Sequence, residues 1–414
     1  MAKKQQSPNI RCKAYKFRLY PTRKQIATLE WTLRRCKELY NAALQERRDA
    51  YHMAGVSVSY EMQAEQLPAI KQVREEYQDI HSQVQQDVLK RLDKAFDAFF
   101  RRVAKGETPG YPRFKGSDRY DSFTYPQGGY EIIGKHLRLS KIGHVKIKVH
   151  QQMYGKIKTC TIKREGDHWY AIFTAEYEFD PTMTFHPSEE AVGIDLGVKS
   201  FAVLSTGEEI DNPRYYRRAE TQIQEAHRTI HRRKQGSRRR HRAKKALSRL
   251  YRKVGNRRRD FLHQASRKLV KQYGTLVFED LQIENMVATP APKQDEQGKY
   301  LPNGAAAKGG LNKSMLDAGW GAFVTITRHK AEEAGGTVVQ VAPHETSQAC
   351  SGCGVIVKKD LSVRWHSCPH CGRALDRDHN AALNILHRYQ HEQSNGPGSG
   401  PRKPGRVRSA SGTA

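Results

Sequence analysis

The 414-residue chain predicts a multi-domain protein, α+β in its first half and α/β in its second. Three observations carry this expectation. Period-two segments crowd into residues 110–180 after a long helical stretch. From residue 191, two apolar strands, a basic helical region and another apolar strand follow in turn. Near the end, two C-x-x-C pairs stand 14 residues apart.

Ile10–Tyr20 alternates through Ala14, Tyr15, Phe17 and Leu19, and reads as a strand ended by Pro21. From Thr22 to about Met53 apolar residues recur at three- and four-residue steps (Ile26, Leu29, Leu33, Cys36, Leu39, Tyr40, Leu44), which predicts a helix. A second helix, about Ser82 to Val103, puts Val84, Val88, Leu92, Phe96 and Phe99 on one stripe. Gly110–Lys115 breaks the helices. Short strands are expected at Tyr130–Ile133, His136–Leu139, His144–Val149, Lys156–Arg164 and His168–Phe179, forming an antiparallel β-barrel that the first strand completes.

Pro181–Glu190 reads as a linker, and Ala191–Asp195 and Ser200–Ser205 as strands. A basic helical pair follows Asn212, then a strand at Thr275–Glu279 and a Gly/Pro/Lys-rich loop from about Ala288 to Lys308. One helix is expected from about Lys313 to Ala334, a strand at Val338–Val341 and a last helix at Asp378–His391. Residues 1–9 and the basic tail 392–414 have the polar composition of disordered segments.

Lys and Arg number 72 against 43 Asp and Glu, a formal charge of +29 that calls for a polyanionic partner. A membrane surface fits poorly, because no apolar stretch approaches spanning length. The N-terminus lacks the apolar core of a signal peptide, and the cysteines lack a disulfide layout, so a cytoplasmic protein is expected. Between Arg228 and Arg259, 16 of 32 residues are basic and none is acidic. Arg232, Arg233, Lys234, Arg238, Arg239 and Arg240 are the candidates there for nucleic-acid backbone contacts.

Cys350, Cys353, Cys368 and Cys371 have the spacing of a closed, structural Zn2+ site, with Lys358–Trp365 as the small hairpin of a ribbon. His366 and His370 read as residues behind the ligands or facing nucleic acid. Asp195 in the first apolar strand, Glu279 at the end of a later one and Asp378 at the start of the last helix describe a ribonuclease-H-like arrangement. Three carboxylates so placed would repel by about 4 kcal/mol per pair near a surface. Two Mg2+ ions would relieve that and set up phosphodiester hydrolysis, so a metal-dependent nuclease is the implied chemistry. Glu279 is followed by Asp280, and either alone would read as a solvated strand end; Asp376 is the alternative to Asp378, since one of that pair would cap the helix.

The stretches RLYPT, GYPRFK, GIDLGVKSFAVLS, FEDLQIENM, SMLDAGWGAF, SQACSGCG…CPHCG and LDRDHNAALNIL, in order from about residue 10 to 390, resemble the TnpB family, transposon-encoded relatives of type V CRISPR effectors. That resemblance implies a wedge barrel at 10–20 and 110–182 and a helical recognition domain at 21–109. It also implies a RuvC-like nuclease at 186–344 and 374–391, carrying a zinc ribbon at 345–373. It further implies a transposon-derived guide RNA, a short target-adjacent motif, and Mg2+-dependent cleavage of double-stranded DNA by Asp195, Glu279 and Asp378. The helix around Gln86 and the loop around Thr124 and Tyr125 resemble segments that meet the adjacent-motif duplex. Guidance by RNA comes from the resemblance alone.

Three other readings compete. A nuclease-silent RNA-guided repressor would lack at least one acid. A transposase on the same fold would want an end-binding module, and no clear helix-turn-helix precedes the acids. A zinc-ribbon RNA-binding protein without chemistry would make the acids coincidental.

Overall fold

The structure, a computed structural model, describes residues 10–116, 119–179, 186, 188–360 and 363–394. Contacts divide the chain into two units, Met1–Asp180 and Pro181–Ala414.

In the first unit, β1 (Ile10–Tyr20) ends where Pro21 removes a ladder donor. Thr22 then starts α1 (Arg23–Ala54) with a capping box. Its hydroxyl accepts from the Gln25 N–H at 3.3 Å, and the Gln25 side chain accepts from the Thr22 N–H at 2.9 Å. Gly55 stops the helix in a left-handed conformation, φ 66°. Short helices α2 (Tyr60–Glu65) and α3 (Leu67–Val73) and a 3-10 turn lead to α4 (Ser82–Ala104).

The strands β2 (Ser122–Tyr125), β3 (Tyr130–Ile133), β4 (His136–Leu139), β5 (Gly143–Lys148), β6 (Lys156–Glu165) and β7 (His168–Glu178) join β1 in one antiparallel sheet, in the order β2-β6-β7-β1-β5-β4-β3. β1 thus joins this sheet as expected, and does so as its middle strand, paired on both sides. The edge strands β2 and β3 are consecutive in sequence, and the rings of Tyr125 and Tyr130 lie 6.4 Å apart, so the sheet curls into a nearly closed barrel. Tyr15, Phe17, Phe123 and Phe173 fill it and share one core with Leu29 and Leu33 of α1 and Val88 and Leu92 of α4. Each such side chain contributes about 1.5–3 kcal/mol on burial.

The second unit is built on a five-stranded sheet. β8 (Ala191–Leu196), β9 (Ser200–Leu204) and β10 (Glu209–Asp211) form an antiparallel meander. After α5 (Tyr215–His231) and α6 (Arg238–Gln272), β11 (Thr275–Glu279) returns parallel to β8. A short α7 (Ile283–Met286) follows, and a hairpin, β12 (Lys293–Gln294) with β13 (Tyr300–Leu301), occupies the expected loop. Next come α8 (Ala305–Ala318), α9 (Trp320–Glu333) and β14 (Thr337–Val341), which lies parallel to β11. The ribbon strands β15 (Trp365–Ser367) and β16 (Ala374–Asp376) precede α10 (Arg377–Ser394). The sheet order is β10-β9-β8-β11-β14, with β8 central.

α10 packs across β8. Gly193 permits this, because a Cβ there would collide with the Ala382 carbonyl. The single helix expected over 313–334 is two helices, since Gly319 at φ 74° ends α8 and starts α9. Of the tail expected from residue 392, Glu392–Ser394 continue α10. Residues 1–9, most of the expected linker and residues 395–414 lie outside the described residues.

Candidate active site and metal centre

Three elements bring the predicted acids toward one place. The parallel ladder pairs Ile194 of β8 with Phe278 of β11. Asp195 and Glu279, each one residue further on, therefore leave adjoining strands side by side and on the same face. α10, packed on β8, carries Asp378 in its first turn.

The electrostatics record the convergence. Asp195 is half-buried, with protein on most sides of its carboxyl. Burial pushes its pKa well above the usual carboxylate range, and the charges of Glu279 and Asp378 push it further. Arg377 opposes the rise, and Asp376 adds a smaller upward push. Burial also raises Glu279, against a hydrogen bond donated by the Thr346 hydroxyl and the charge of Arg388. Asp280 is exposed and stands apart from this group.

The choice between Asp376 and Asp378 has a geometric basis. Asp376 precedes α10, and its Oδ1 accepts from the backbone N–H of Asp378 at 2.8 Å and of His379 at 3.4 Å, the work of an N-cap. Asp378 is buried and turns its carboxylate to Arg364 and Arg377, each at 3.4 Å. These two arginines, absent from the expected site, relieve the crowding of like charge. They also correct one expectation, for the three acids do not form a ready-made cation seat. Among the described residues, the only set of three or more candidate ligand atoms within 4.8 Å of one another is the four cysteine sulfurs.

The cysteine centre is tightly made. Cys350 Sγ lies 3.5 Å from Cys371 Sγ, and Cys353 Sγ lies 3.6 Å from Cys368 Sγ. A tetrahedron of sulfurs about 2.3 Å from one ion has edges of about 3.8 Å, so the cluster suits a metal such as zinc. The two knuckles repeat one turn. Gly354 and Gly372, at φ 77° and 71°, donate their N–H to the Cys350 and Cys368 carbonyls at 2.8 and 3.0 Å. Backbone N–H groups, Cys371's foremost, lower the Cys368 thiol to about 6, toward the thiolate a metal needs.

The ribbon strands flank the second knuckle; of the hairpin expected at 358–365, residues 361 and 362 lie outside the described residues, and among the others only Trp365 is in a strand. His366 is fully buried and bonds Lys359, so it does not face nucleic acid, while His370 is exposed. α10 is tied to this centre by two asparagines one turn apart. Asn380 accepts from the Ser351 N–H at 2.9 Å and donates to the Ala349 carbonyl at 2.7 Å. Asn384 donates to the Thr346 and Ala349 carbonyls at 2.8 and 2.7 Å.

The expected nucleic-acid contacts divide. Arg232, Arg233 and Lys234 lie exposed in the turn between α5 and α6, and Arg238 and Arg239 lie exposed in the first turn of α6. Cations at a helix N-terminus oppose the macrodipole, an arrangement that an anion bound there would relieve. Arg240 is different: its Nη1 donates to the Ile230 and Arg233 carbonyls at 3.0 and 2.9 Å, pinning the turn. Gln86 is exposed on α4. Thr124 and Tyr125 are not in a loop; both are buried in β2. The Thr124 hydroxyl bonds Arg91 and Thr161, and the Tyr125 hydroxyl donates to the Ser140 carbonyl at 3.0 Å.

Residues 174–289 match a family described as "Probable transposase", and residues 320–385 one described as "Cas12f1-like, TNB domain". Residues 11–55 match a family described as "Helix-turn-helix domain", although they fold here as β1 and one unbroken helix, α1. The chain is 30% identical over 380 residues to the Escherichia coli (strain K12) protein named "Putative RNA-guided DNA endonuclease InsQ", covering 91% of this chain and 92% of that one. It is also 30% identical over 383 residues to a Streptomyces pristinaespiralis protein named "Putative RNA-guided DNA endonuclease", covering 90% and 88%. A solved structure, "Structure of the mini-RNA-guided endonuclease CRISPR-Cas_phi3", aligns over 95% of this chain and 94% of its own at TM-score 0.49 and 11% identity. Among the described residues no helix is long and apolar enough to cross a membrane.

Proposed function

We propose that this chain, which belongs to the TnpB family (the IS605 OrfB proteins), is an RNA-guided DNA endonuclease that hydrolyses double-stranded DNA with Asp195, Glu279 and Asp378. The observation that carries the reading is the meeting of three acids on a β10-β9-β8-β11-β14 sheet crossed by α10. In this order only β9 runs antiparallel to the central β8, while β10, β11 and β14 run with it; one reversed strand in an otherwise parallel-running five-stranded sheet is the ribonuclease-H-like arrangement, and supports a RuvC-like domain. The complete acid set argues against a nuclease-silent repressor.

The donor chemistry fits the implied ions. A half-buried carboxylate raised by two others favours hard divalent cations, and an all-oxygen set suits Mg2+. Such ions supply Lewis acidity for phosphodiester hydrolysis. Asp195 and Glu279 would hold them on the rigid sheet edge, and Asp378 would join as it leaves Arg364 and Arg377. Arg364 would then have its guanidinium turned toward a phosphate. The four thiolates would hold Zn2+ and fix the start of α10 through Asn380 and Asn384.

Guide RNA and target DNA are the proposed partners, with the exposed arginines of the α5–α6 turn among the phosphate contacts. Replacing Arg232, Arg233, Arg238 and Arg239 by Ala should flatten the dependence of log affinity on log salt by about 0.7–0.9 per lost contact. A filter-binding titration across salt measures this, and an unchanged slope would place the turn away from the polyanion.

The functional test is cleavage. The chain is co-expressed with RNA from its own locus and given a plasmid library with Mg2+, alongside Asp195→Ala. Cuts beside one short motif by wild type alone support the reading. Binding without cutting by both proteins would make the chain a guided repressor.

A further inference from the structure

We propose that the aromatic surface at the C-terminal end of α4 is a stacking platform for an unpaired nucleobase; this rests on the nucleic-acid-binding reading above. Phe96, Phe99 and Phe100 of α4 and Tyr111 of the following segment form one network of rings. Phe96 and Phe100 stack at 6.2 Å, Phe99 meets Phe100 edge-on at 5.2 Å, and Tyr111 meets Phe96 and Phe99 edge-on at 5.6 and 5.4 Å. A cluster of this size normally closes a core. Here it stays open: Phe100 is 60% exposed and Tyr111 46%.

Its surroundings select the occupant. Arg101, Arg102, Lys105 and Arg113 are all exposed, and none of them is in an ion pair among the described residues. Aromatic faces beside unpaired cations are the elements of single-strand recognition: the ring takes the base and the cation takes the flanking phosphate. An apolar protein partner would leave those four charges against a desolvated surface, at a cost. Stacking needs an unstacked base, so the occupant is a single-stranded nucleotide, from the guide RNA or from a displaced DNA strand.

The test uses the full chain without divalent metal and short single-stranded oligonucleotides carrying 2-aminopurine, RNA in one arm and DNA in the other. Quenching reports stacking, and its titration gives affinity. Phe100→Leu and Tyr111→Leu, both at open positions, should each bind about 10-fold more weakly and quench less, with an unchanged salt slope. Phe100→Trp should restore both. Loss confined to one arm names that strand as the source, and loss in both means the site reads the base itself. Wild-type affinity and quenching in both leucine variants, with unaltered melting temperatures, would overturn the proposal. Because the assay involves no cutting, its failure leaves guided cleavage standing, and a failure to cleave leaves the quench intact.

Discussion

Asp195→Asn should abolish DNA cleavage, by at least about 10³-fold, while leaving the metal-free fold as stable as wild type or more so. Both halves follow from one fact: the half-buried carboxyl carries the repulsion of two other acids. In the reaction that crowding concentrates negative charge for divalent cations. Without them it is a cost, which the isosteric amide removes. The pH dependence has a definite sign. Folding raises the pKa of Asp195 and Glu279, so above the ordinary carboxylate range the folded chain holds protons that the unfolded chain has released. Stability therefore falls as pH rises through that window, and is greatest below it. Cation affinity runs the other way, weakening as pH falls and the acids protonate. Thermal denaturation across pH, with and without Mg2+, reads both trends. A variant that melts well below wild type in the metal-free state would contradict this account.

Cys353→Ser should release the ribbon and, with it, the catalytic geometry, although no cysteine meets substrate. Structural zinc centres supply about 10–16 kcal/mol of apparent folding free energy in small modules, far more than the few residues of this ribbon can replace. The loss would travel along named bonds. Asn380 and Asn384 tie α10 to the Ser351, Ala349 and Thr346 backbone, Thr346 bonds Glu279, and Arg364 pairs with Asp378. The expected result is loss of one bound metal per chain, protease sensitivity near 350–373, and cleavage at background. Cys12→Ser, at an exposed position outside the cluster, should change none of these. Metal analysis and limited proteolysis decide the matter, and a zinc-free variant that cuts normally would remove the ribbon from the account.

What could be read from the residues was what periodicity and spacing encode. Thr275–Glu279 is apolar and bounded, and its strand has those limits. The four cysteine sulfurs gather within 4.8 Å of one another, the cluster that their spacing predicts. What escaped depended on partners distant in sequence. β10 has three residues and β12 and β13 two each, too short for a period to register. Gly319 looks like any glycine inside a helical pattern until its positive φ is known. Thr124 and Tyr125 look like loop residues because β2 is only four residues long, and their burial comes from β6 and the curl of the sheet. Arg240 is one of three adjacent arginines, and only the folded turn shows it bonded to carbonyls. The hold of Arg364 and Arg377 on Asp378 left no signal beyond the arginine of Asp-Arg-Asp.

The central claim is that Asp195, Glu279 and Asp378 seat a pair of divalent cations once Asp378 leaves its arginines. Electron paramagnetic resonance of Mn2+ added to the RNA-bound protein tests it most directly. Wild type should bind two spin-coupled ions about 3.5–4 Å apart. Asp195→Asn, Glu279→Gln and Asp378→Asn should each abolish the coupled signal. A coupled pair that survives any of the three substitutions, or wild type with only isolated ions, would contradict the account.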